Sequence, residues 1–408
     1  KDKLDKRRRE LLTLQSNTRK RKIVEEFRMQ CKRYLKIDVL MDMNDAQRGL
    51  FHFKNGCVDL HTGNFRPRRK NDFVTKCLSY SYHAKDDDLE EKMAEIYKKL
   101  RMIQPKDKDY KWIMDWLGYN LTGFTREQKF NLLIGYTASN AKSFIFHLMT
   151  SAFSIYVRQM GNKAFDDSNQ NFAKNFGCLL DHAYRMVWMN EWGKKVIDED
   201  RFCNFVDGKA FPIPVIYEKA EIMITPHCKL SAAGNNDPNI KGGTKGTFRR
   251  GVQTPFTSEF VDDGSENVSI HRYKDDKGAF AFKFKNDSYK LAFFHLLLPH
   301  AISYCEKGLT IPQQYRDAFK RNIEDRDPFS EVFDVFVPTG SLDDMVAKQD
   351  VMQWINLYLS LPPPQAKFSF ILQKFKSKGI EYDSQRVIDV DKVRKKGWFT
   401  KVRRATFN

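Results

Sequence analysis

The sequence predicts an α/β fold whose main unit is built on a mainly parallel sheet, preceded by a helical region and followed by a winged-helix-like module. Three short apolar runs, at residues 130–134, 186–189 and 229–233, have the length and composition of buried strands. Helical patterns lie between them, which is typical of a parallel sheet. The 408 residues exceed the usual size of one core, so we expect three domains, at residues 1–105, 106–330 and 331–408.

The first predicted domain is a basic helical collar that ends in a small hairpin segment. Residues 1–36 alternate basic clusters with leucines and other apolar residues, which predicts an amphipathic helix in two pieces. Within residues 51–82, the turn signals Asn55-Gly56 and Gly63-Asn64 predict a hairpin.

The second predicted domain contains the strands of the sheet. Apolar residues at helical spacing predict a helix over 107–122 that stops at Gly123. Residues 130–134 are then followed by a turn-rich loop and a helical pattern at 144–153, which predicts a strand, a loop and a helix in that order. A long apolar helix is expected over 288–305, closed by Gly308.

The third predicted domain follows the prolines at 362–364. A helical pattern at 368–375 precedes a segment rich in basic and aromatic residues, as expected for a winged helix. Trp398 and Phe399 either stack on nucleic-acid bases or belong to a core, and the second is the commoner case. The residues expected to contact DNA phosphates are Lys395, Lys396, Lys401, Arg403 and Arg404.

Charge is concentrated at the two ends of the chain. The net charge of +18 divides into +9 over residues 1–36, +8 over residues 365–408 and only +1 between them. Basic ends indicate contact with a polyanion such as DNA, although two solvated charged helices would give the same pattern.

Other classes of protein are disfavoured by composition. No apolar run reaches the roughly 20 residues that span a bilayer, so no membrane partner is expected. Seven scattered cysteines without a CxxC pair give neither a disulfide framework nor a zinc site, and a reducing intracellular compartment is the expected location. The first residue is Lys1 rather than Met, so we expect a piece of a longer polypeptide.

The loop at residues 135–143 has the chemistry of a phosphate-binding P-loop. Backbone N–H groups of such a loop and the following helix N-terminus hold phosphate oxygens. Lys142 would neutralise the β- and γ-phosphates of ATP and Ser143 would bind Mg²⁺. Ala141 stands where this motif has its second glycine, so we expect local strain; an ordinary strand-to-helix turn is the alternative. The residues expected to hold the nucleotide are Gly135, Ser139, Asn140, Ala141, Lys142 and Ser143.

Three later features are in the order that nucleotide hydrolysis needs. Glu191 follows the apolar run 186–189 and is expected at the carboxyl edge of the sheet, where it would activate water or support Mg²⁺. Asn235 follows the run 229–233 and would contact the γ-phosphate or water, unless it only forms a polar turn. Arg249 and Arg250 supply guanidiniums for a neighbouring subunit's γ-phosphate or for a structural salt bridge.

This ordered set resembles the superfamily III helicases of DNA viruses, and more narrowly the primase–helicase NTPase of the nucleocytoplasmic large DNA viruses, of poxvirus and asfarvirus type. Its most specific parts are Asn-Gly-x-x-Asp-Leu at 55–60 and Arg-Arg-x-x-x-x-Pro-Phe at 249–256. The resemblance covers roughly residues 45–335.

The resemblance implies an AAA+-like core that assembles into a ring-shaped homo-hexamer and acts as an ATP-dependent DNA helicase in viral DNA replication. ATP and Mg²⁺ would bind between subunits, single-stranded DNA would occupy the central channel, and duplex would lie at the fork. A primase domain upstream in the same polypeptide and a location in viral factories of the host cytoplasm are also implied.

The resemblance also implies residue roles. Lys142 and Ser143 bind phosphate and Mg²⁺, Glu191 supports catalysis and Mg²⁺, Asn235 senses the nucleotide, and Arg249 or Arg250 acts in trans. Lys219, at the tip of a hairpin expected over 214–224, is the candidate for DNA contact in the channel. Ala141 and Asn190 depart from the family, which usually has glycine and a second acid there. Slow hydrolysis or a non-enzymatic nucleotide-binding DNA scaffold is therefore one alternative, and a DNA-packaging or remodelling ATPase is another.

Overall fold

The fold is given by a computed structural model, which describes most of the chain from residue 48 onward. Of the predicted N-terminal helix, only six single positions are described. Lys219 and residues 136–138 of the predicted P-loop lie outside the described residues. Within the described part, no helix is both long enough and apolar enough to cross a membrane. The described residues are 6, 7, 10, 13, 23, 26, 48–72, 74, 76–135, 139–166, 176, 179, 184–191, 197–214, 221–235, 245–324, 335–339, 341–358, 368–377, 379–390 and 393–404.

The predicted hairpin is confirmed near the start of the described chain. Strand β1 (Leu50–Phe53) pairs antiparallel with β2 (Gly56–Asp59), which pairs in turn with β3 (Phe65–Arg66). Gly56 is needed at the turn because a Cβ there would lie 2.5 Å from the carbonyl oxygen of Arg66. The hairpin is followed by a 3₁₀ turn at Lys70–Asp72.

Helix α1 (Asp87–Ile103) was not expected from the sequence. Its N-cap is Asp86, whose carboxylate accepts a hydrogen bond of 2.9 Å from the backbone N–H of Leu89. The acidic run at 86–88 is thus the cap and first turn of a helix, where negative charge is favoured.

The central sheet has five strands, all parallel, in the spatial order β10-β4-β9-β6-β5. In chain order these are β4 (Phe130–Ile134), β5 (Val157–Gln159), β6 (Met186–Met189), β9 (Lys229–Gly234) and β10 (Gly251–Pro255). The three predicted strands are therefore present, as is the predicted parallel sheet. The strand that carries the P-loop lies inside the sheet, with β9 between it and β6.

The continuous apolar runs follow from burial on both faces of the sheet. Successive side chains of a strand point to opposite faces. Leu133 accordingly joins one hydrophobic cluster, whereas Leu132 and Ile134 join the cluster on the other face. Strands covered on both faces need apolar residues at every position rather than at alternate ones.

Helices on one face hold the sheet through tryptophans as well as through apolar contact. Two tryptophans of helix α2 (Asp107–Leu121) donate hydrogen bonds to side chains of the sheet. The indole N–H of Trp112 donates to the hydroxyl of Thr254 at 2.7 Å, and that of Trp116 donates to the hydroxyl of Ser231 at 2.9 Å. Helix α3 (Lys142–Phe153) follows the P-loop, and α7 (Asp287–Lys307) packs against α1 and α2 before ending at Gly308. The helices predicted around 107–122, 144–153 and 288–305 are thus confirmed.

The collar hairpin and α1 share this core. Phe51 and Phe53 of β1 lie 5.0 and 4.8 Å from the ring centre of Phe294 in α7. One hydrophobic cluster runs from Phe51 to Tyr315, so the predicted boundary at residue 105 is not a break in the core.

The α/β unit contains further helices, strands and a 3₁₀ turn beside those already described. They are α4 (Glu199–Val206), the antiparallel pair β7 (Phe211–Pro214) and β8 (Glu221–Ile224), α5 (Lys245–Arg250), β11 (Glu259–Val261), a 3₁₀ turn (Val268–Ile270), β12 (Arg272–Lys274), α6 (Ala279–Lys283) and α8 (Gln313–Glu324).

The C-terminal module has its own hydrophobic core. Antiparallel pairing gives the sheet β14-β16-β15 and the pair β13-β17. Two helices and the long hairpin of β15 and β16 complete the described part of the module. Trp398 and Phe399 are buried and Phe399 belongs to this core, so the commoner of the two alternatives, burial rather than base stacking, is confirmed. The elements are β13 (Phe336–Pro338), β14 (Met345–Ala347), α9 (Lys348–Tyr358), α10 (Phe368–Ser377), β15 (Glu381–Val390), β16 (Val393–Thr400) and β17 (Val402–Arg404).

Candidate nucleotide site

The ends of three parallel strands meet at a cavity on the carboxyl edge of the sheet. The P-loop follows β4, Asn190 and Glu191 follow β6, and Asn235 follows β9. Because parallel strands end at the same edge, residues far apart in the chain become neighbours there. The cavity has a volume of about 290 Å³ and is lined by Ser139, Asn140, Ala141, Lys142, Ser143, Phe144, Asn190, Glu191, Ala233, Gly234 and Asn235.

The P-loop backbone is left-handed just before helix α3. Ala141 has φ 59° and ψ 20°, and Ser139 has φ 57°. A residue with a Cβ costs about 1–2 kcal/mol in this conformation, so the expected strain at Ala141 is present. A Cβ at Gly135 would lie 2.7 Å from the side-chain amide of Asn140, so a larger residue at the start of the loop would displace that amide.

Lys142 is buried and is held by neutral oxygens. Its ammonium donates to the carbonyl of Gly135 at 3.1 Å, to the side-chain oxygen of Asn235 at 2.8 Å and to that of Asn140. Burial lowers the pKa of Lys142 from 10.5 to about 8, and the carboxylate of Glu191 offsets part of this shift. An anion that approached the ammonium would therefore be stabilised by a cation in a poorly hydrated site.

Asn190 lines the cavity, although the sequence analysis noted it only as a departure from the family's second acidic residue. The hydroxyl of Ser143 donates to the side-chain oxygen of Asn190, which joins α3 to the end of β6. Glu191, the next residue, has φ 131°, a rare conformation for a residue with a Cβ, and its side chain is exposed at the cavity.

Ser143, Asn190 and Glu191 form a set of oxygen donors that fits Mg²⁺. Magnesium prefers oxygen ligands, keeps several waters and is bound through only one or two carboxylates together with substrate phosphates. A single carboxylate, an amide oxygen and a hydroxyl at the mouth of a cavity meet that preference.

Arg249 and Arg250 lie at the opposite edge of the sheet. Helix α5 ends at Arg250 and leads directly into β10, where Gly251 is paired with Phe130 at the start of β4. The P-loop lies beyond the other end of β4. Five residues of strand separate the two edges by about 16 Å, so neither guanidinium reaches the P-loop of its own chain.

The two arginines have different surroundings. Arg250 is buried and donates two hydrogen bonds of 2.6 Å to Asp207, whose side chain is only 2% exposed. Burial raises the pKa of Asp207, hydrogen bonds from Arg250 and Lys209 lower it, and the net value lies below the ordinary one. Arg249 is 50% exposed and lies 3.7 Å from the same carboxylate. Arg250 thus fits the structural salt bridge and Arg249 has the freer guanidinium.

The residues predicted to contact DNA differ in whether their charge is paired within the chain. Lys395 forms an ion pair with Asp350 at 2.7 Å, and Lys401 forms one with Glu381 at 2.6 Å. Lys396 and Arg403 are exposed, whereas the side chain of Arg404 lies outside the described residues. Lys219 lies outside them as well.

Sequence reasoning missed Arg394 on the C-terminal hairpin. It is exposed on β16 two residues before Lys396, so the two side chains share one face of the hairpin. The alternating positions of residues 394 and 396 were the available signal, but they are recognisable only once β16 is known to be a strand.

Comparison with known proteins relates the chain to viral helicases. The family model described as "D5 N terminal like" matches residues 1–118. The protein named "Putative helicase L207/L206" of Acanthamoeba polyphaga mimivirus is 27% identical over 289 residues, which are 68% of this chain and 30% of that protein. "Putative helicase 121R" of Invertebrate iridescent virus 3 is 25% identical over 236 residues, 57% of this chain and 25% of that protein. The chain thus spans less than a third of the length of either relative.

Two solved structures are similar to the fold. The A form apo structure of the NrS-1 C-terminal region, residues 305–718, has a TM-score of 0.45 at 9% identity and covers 78% of this chain and 76% of that one. A further apo structure of that region has a TM-score of 0.43 at 10% identity, with the same coverage.

Proposed function

Because the chain belongs to the D5-type primase–helicase family, we propose that it is the motor region of an ATP-dependent DNA helicase that acts in viral DNA replication. The observation that carries this proposal is the meeting of Lys142, Ser143, Asn190, Glu191 and Asn235 around one cavity. A phosphate-binding loop beside a carboxylate and an amide has the parts that hydrolysis of a phosphoanhydride requires.

The roles of the residues follow from their contacts. Lys142 exchanges its neutral oxygen partners for the β- and γ-phosphate oxygens of ATP, which stabilises a cation that burial otherwise disfavours. Ser143, Asn190 and Glu191 would hold Mg²⁺, and this ion would supply Lewis-acid stabilisation of charge on the phosphates. Glu191 orients the attacking water, and Asn235 contacts the γ-phosphate once Lys142 has turned away from it.

Hydrolysis in this proposal takes place between subunits. Arg249 and the P-loop of the same chain lie at opposite ends of β4, which are about 16 Å apart. Half of the Arg249 side chain is exposed. A head-to-tail ring of six copies would place Arg249 of one copy at the ATP of the next, where it stabilises transition-state charge. Single-stranded DNA then passes through the ring, with Lys219 as the proposed contact, and duplex lies at the fork.

The C-terminal module contributes sequence-independent contact with DNA phosphates. Arg394, Lys396 and Arg403 are exposed there, whereas Lys395 and Lys401 are engaged with carboxylates. A primase domain elsewhere in the same polypeptide and a location in viral factories of the host cytoplasm remain proposals that rest on the family alone.

Two observations favour a slower alternative. Ala141 is strained in the P-loop, and Asn190 supplies no negative charge to Mg²⁺. A nucleotide-binding DNA scaffold with little turnover would tolerate both features. No described contact favours a DNA-packaging ATPase over the helicase.

DNA-stimulated ATP hydrolysis and strand separation test the proposal. Lys142→Ala should lose nucleotide binding, whereas Glu191→Gln should bind ATP but not turn it over. The helicase proposal is lost if the wild-type chain hydrolyses ATP no faster than these two variants. A wild type that binds ATP, matches Glu191→Gln in rate and holds DNA would establish the scaffold.

A further inference from the structure

A rigid acidic loop lies beside the nucleotide cavity. Residues 259–276, called the acidic loop here, contain six acidic and two basic residues. The loop begins with β11 against the P-loop, where the backbone N–H of Phe260 donates to the carbonyl of Ser139 at 2.9 Å. It is thus fixed to the carboxyl edge of the sheet, on the side where ATP is proposed to bind.

Internal contacts fix the conformation of the acidic loop. Asn267 and Arg272 exchange backbone hydrogen bonds of 2.9 and 3.0 Å, and β11 pairs with β12 at its base. The guanidinium of Arg272 also lies 3.4 Å from Glu259 and 3.8 Å from Asp263. A loop that is already ordered loses little conformational entropy when a partner binds.

The tip of the acidic loop presents apolar side chains to solvent. Val268 is 68% exposed and Ile270 is 63% exposed, on the 3₁₀ turn at the tip. The exposed carboxylate of Glu266 lies beside them, and Asp262 is also exposed, with the ammonium of Lys277 at 3.9 Å. Negative charge around the tip repels the phosphates of DNA, so the surface fits a protein partner that is basic at its edge.

A surface of the opposite charge lies at the other edge of the same sheet. What we call the basic patch consists of Lys129, directly before β4, Arg249 at the end of α5 and the exposed Arg316 on α8. Burial and the like charges of Arg316 and Arg249 lower the pKa of Lys129 to about 8. Cations crowded in this way gain stability when carboxylates approach them.

We propose that the acidic loop of one copy docks on the basic patch of a second copy, with Val268 and Ile270 buried between them. The two surfaces lie on opposite edges of the sheet, so the contact is head-to-tail and continues from copy to copy until a ring closes. This inference rests on the proposed function, because the same contact brings Arg249 to the neighbouring ATP. Beyond the proposed function, the inference assigns to the acidic loop the role of binding the adjacent copy of the chain in the ring.

Charge exchange tests the docking, because each copy carries both surfaces. Glu266→Lys and Arg316→Glu should each weaken assembly about tenfold or more, measured by sedimentation velocity of the full chain over a concentration series with ADP and Mg²⁺. The double variant, which restores opposite charges across the contact, should return to within about threefold of wild type. Glu306→Lys makes the same charge change at an exposed site on α7 and should assemble as wild type does.

A second variant tests the apolar tip. Val268→Asp with Ile270→Asp should also weaken assembly at least tenfold, while its thermal unfolding and its affinity for a fluorescent ATP analogue stay as in wild type. Retained fold and binding would show that the loss lies in the contact between copies.

The outcomes separate this inference from the proposed function. If wild type assembles and hydrolyses ATP while Glu266→Lys and the tip variant assemble equally well, the docking is overturned and the helicase proposal stands. If the single variants weaken assembly but the double variant does not recover, the pairing with the basic patch is wrong. A wild type that neither assembles nor hydrolyses ATP overturns both.

Discussion

Replacing Arg249 and Arg250 separately should give opposite results, although the two residues are adjacent. Arg250→Ala removes both 2.6 Å hydrogen bonds from a carboxylate, Asp207, that is 2% exposed. Breaking such a buried pair typically costs 3–5 kcal/mol, because the remaining charge has no adequate partner. Arg249→Ala removes only a distant and exposed contact at 3.7 Å.

The remaining neighbours reduce the first cost only in part. Lys209 lies 3.2 Å from Asp207 and Arg249 lies 3.7 Å away, but their side chains are 61% and 50% exposed. Exposed ion pairs contribute at most about 1 kcal/mol each. Arg250→Ala should therefore destabilise the α/β unit by about 2–4 kcal/mol and lower its Tm by at least about 4 °C. Arg249→Ala should change stability by less than about 0.5 kcal/mol.

Activity should follow the reverse order. Arg249→Ala should reduce ATP hydrolysis by about 10³-fold or more while nucleotide binding is kept, as for an arginine that acts in trans. Arg250→Ala should keep the turnover of whatever fraction remains folded. Calorimetry and steady-state ATPase assays measure the two effects. Replacing both charges, with Arg250→Met and Asp207→Leu, should recover most of the lost stability. The reasoning is refuted if Arg250→Ala unfolds at the wild-type temperature or if Arg249→Ala hydrolyses ATP at the wild-type rate.

Three further predictions concern the cavity and the C-terminal hairpin. The affinity for ATP should fall about tenfold between pH 7 and pH 9, because Lys142 loses its proton as pH rises through about 8. Isothermal titration at several pH values measures this fall, and an affinity that stays constant from pH 7 to pH 9 would contradict it. The pKa of Lys142 is lower in the folded chain than in the unfolded chain, so the unfolded chain binds more protons. Burying the charged lysine therefore lowers the free energy of unfolding at every pH below about 8. This destabilisation shrinks as the pH rises from about 8 toward 10.5. Asn190→Asp should lower the Mg²⁺ concentration for half-maximal hydrolysis roughly tenfold, since it adds a carboxylate beside Ser143, and an unchanged Mg²⁺ titration would contradict the proposed ligand set. Arg394→Ala and Lys396→Ala should each reduce the slope of log affinity for duplex DNA against log salt by about 0.9, whereas Lys395→Ala, whose ammonium is paired with Asp350, should reduce it less.

Point variants are the better test of the C-terminal module than removal of residues 365–408. Strand β13 pairs with β17, and β14 pairs with β16. Truncation at residue 365 would remove both partner strands and expose the backbone of residues 336–338 and 345–347. Loss of DNA binding after truncation would then report unfolding as much as lost phosphate contacts.

Much of the sheet follows from the local sequence. The run at 130–134 is recognisable as a strand because it is apolar almost throughout. The structure explains this composition, since every residue of the run is buried on one face of the sheet or the other. Strand β10 escaped prediction because Gln253 and Thr254 interrupt its apolar pattern. Both are buried in the structure, and the hydroxyl of Thr254 accepts the indole N–H of Trp112 and donates to Asn131. A polar strand of this kind is recognisable only from its partners.

Most of the residues that line the candidate site could be predicted from the sequence, but their contacts could not. The P-loop, Glu191 and Asn235 each follow an apolar run, so their common edge follows from parallel strands. The hydrogen bond between Ser143 and Asn190 spans 47 residues of sequence, and that between Arg250 and Asp207 spans 43. Pairings at such separations depend on the order of strands in the sheet, which the sequence pattern does not specify.

Mixing two inactive variants tests most directly whether ATP is hydrolysed at a boundary between subunits. Arg249→Ala keeps its P-loop, and Lys142→Ala keeps its arginine. In a mixed ring, the P-loop of an Arg249→Ala copy can face an intact Arg249 from a Lys142→Ala neighbour. The DNA-stimulated ATPase rate of an equimolar mixture should rise well above the rate of either variant alone, to a sizeable fraction of wild type. A mixture no more active than its components, while wild type is active and assembled, would contradict hydrolysis between subunits.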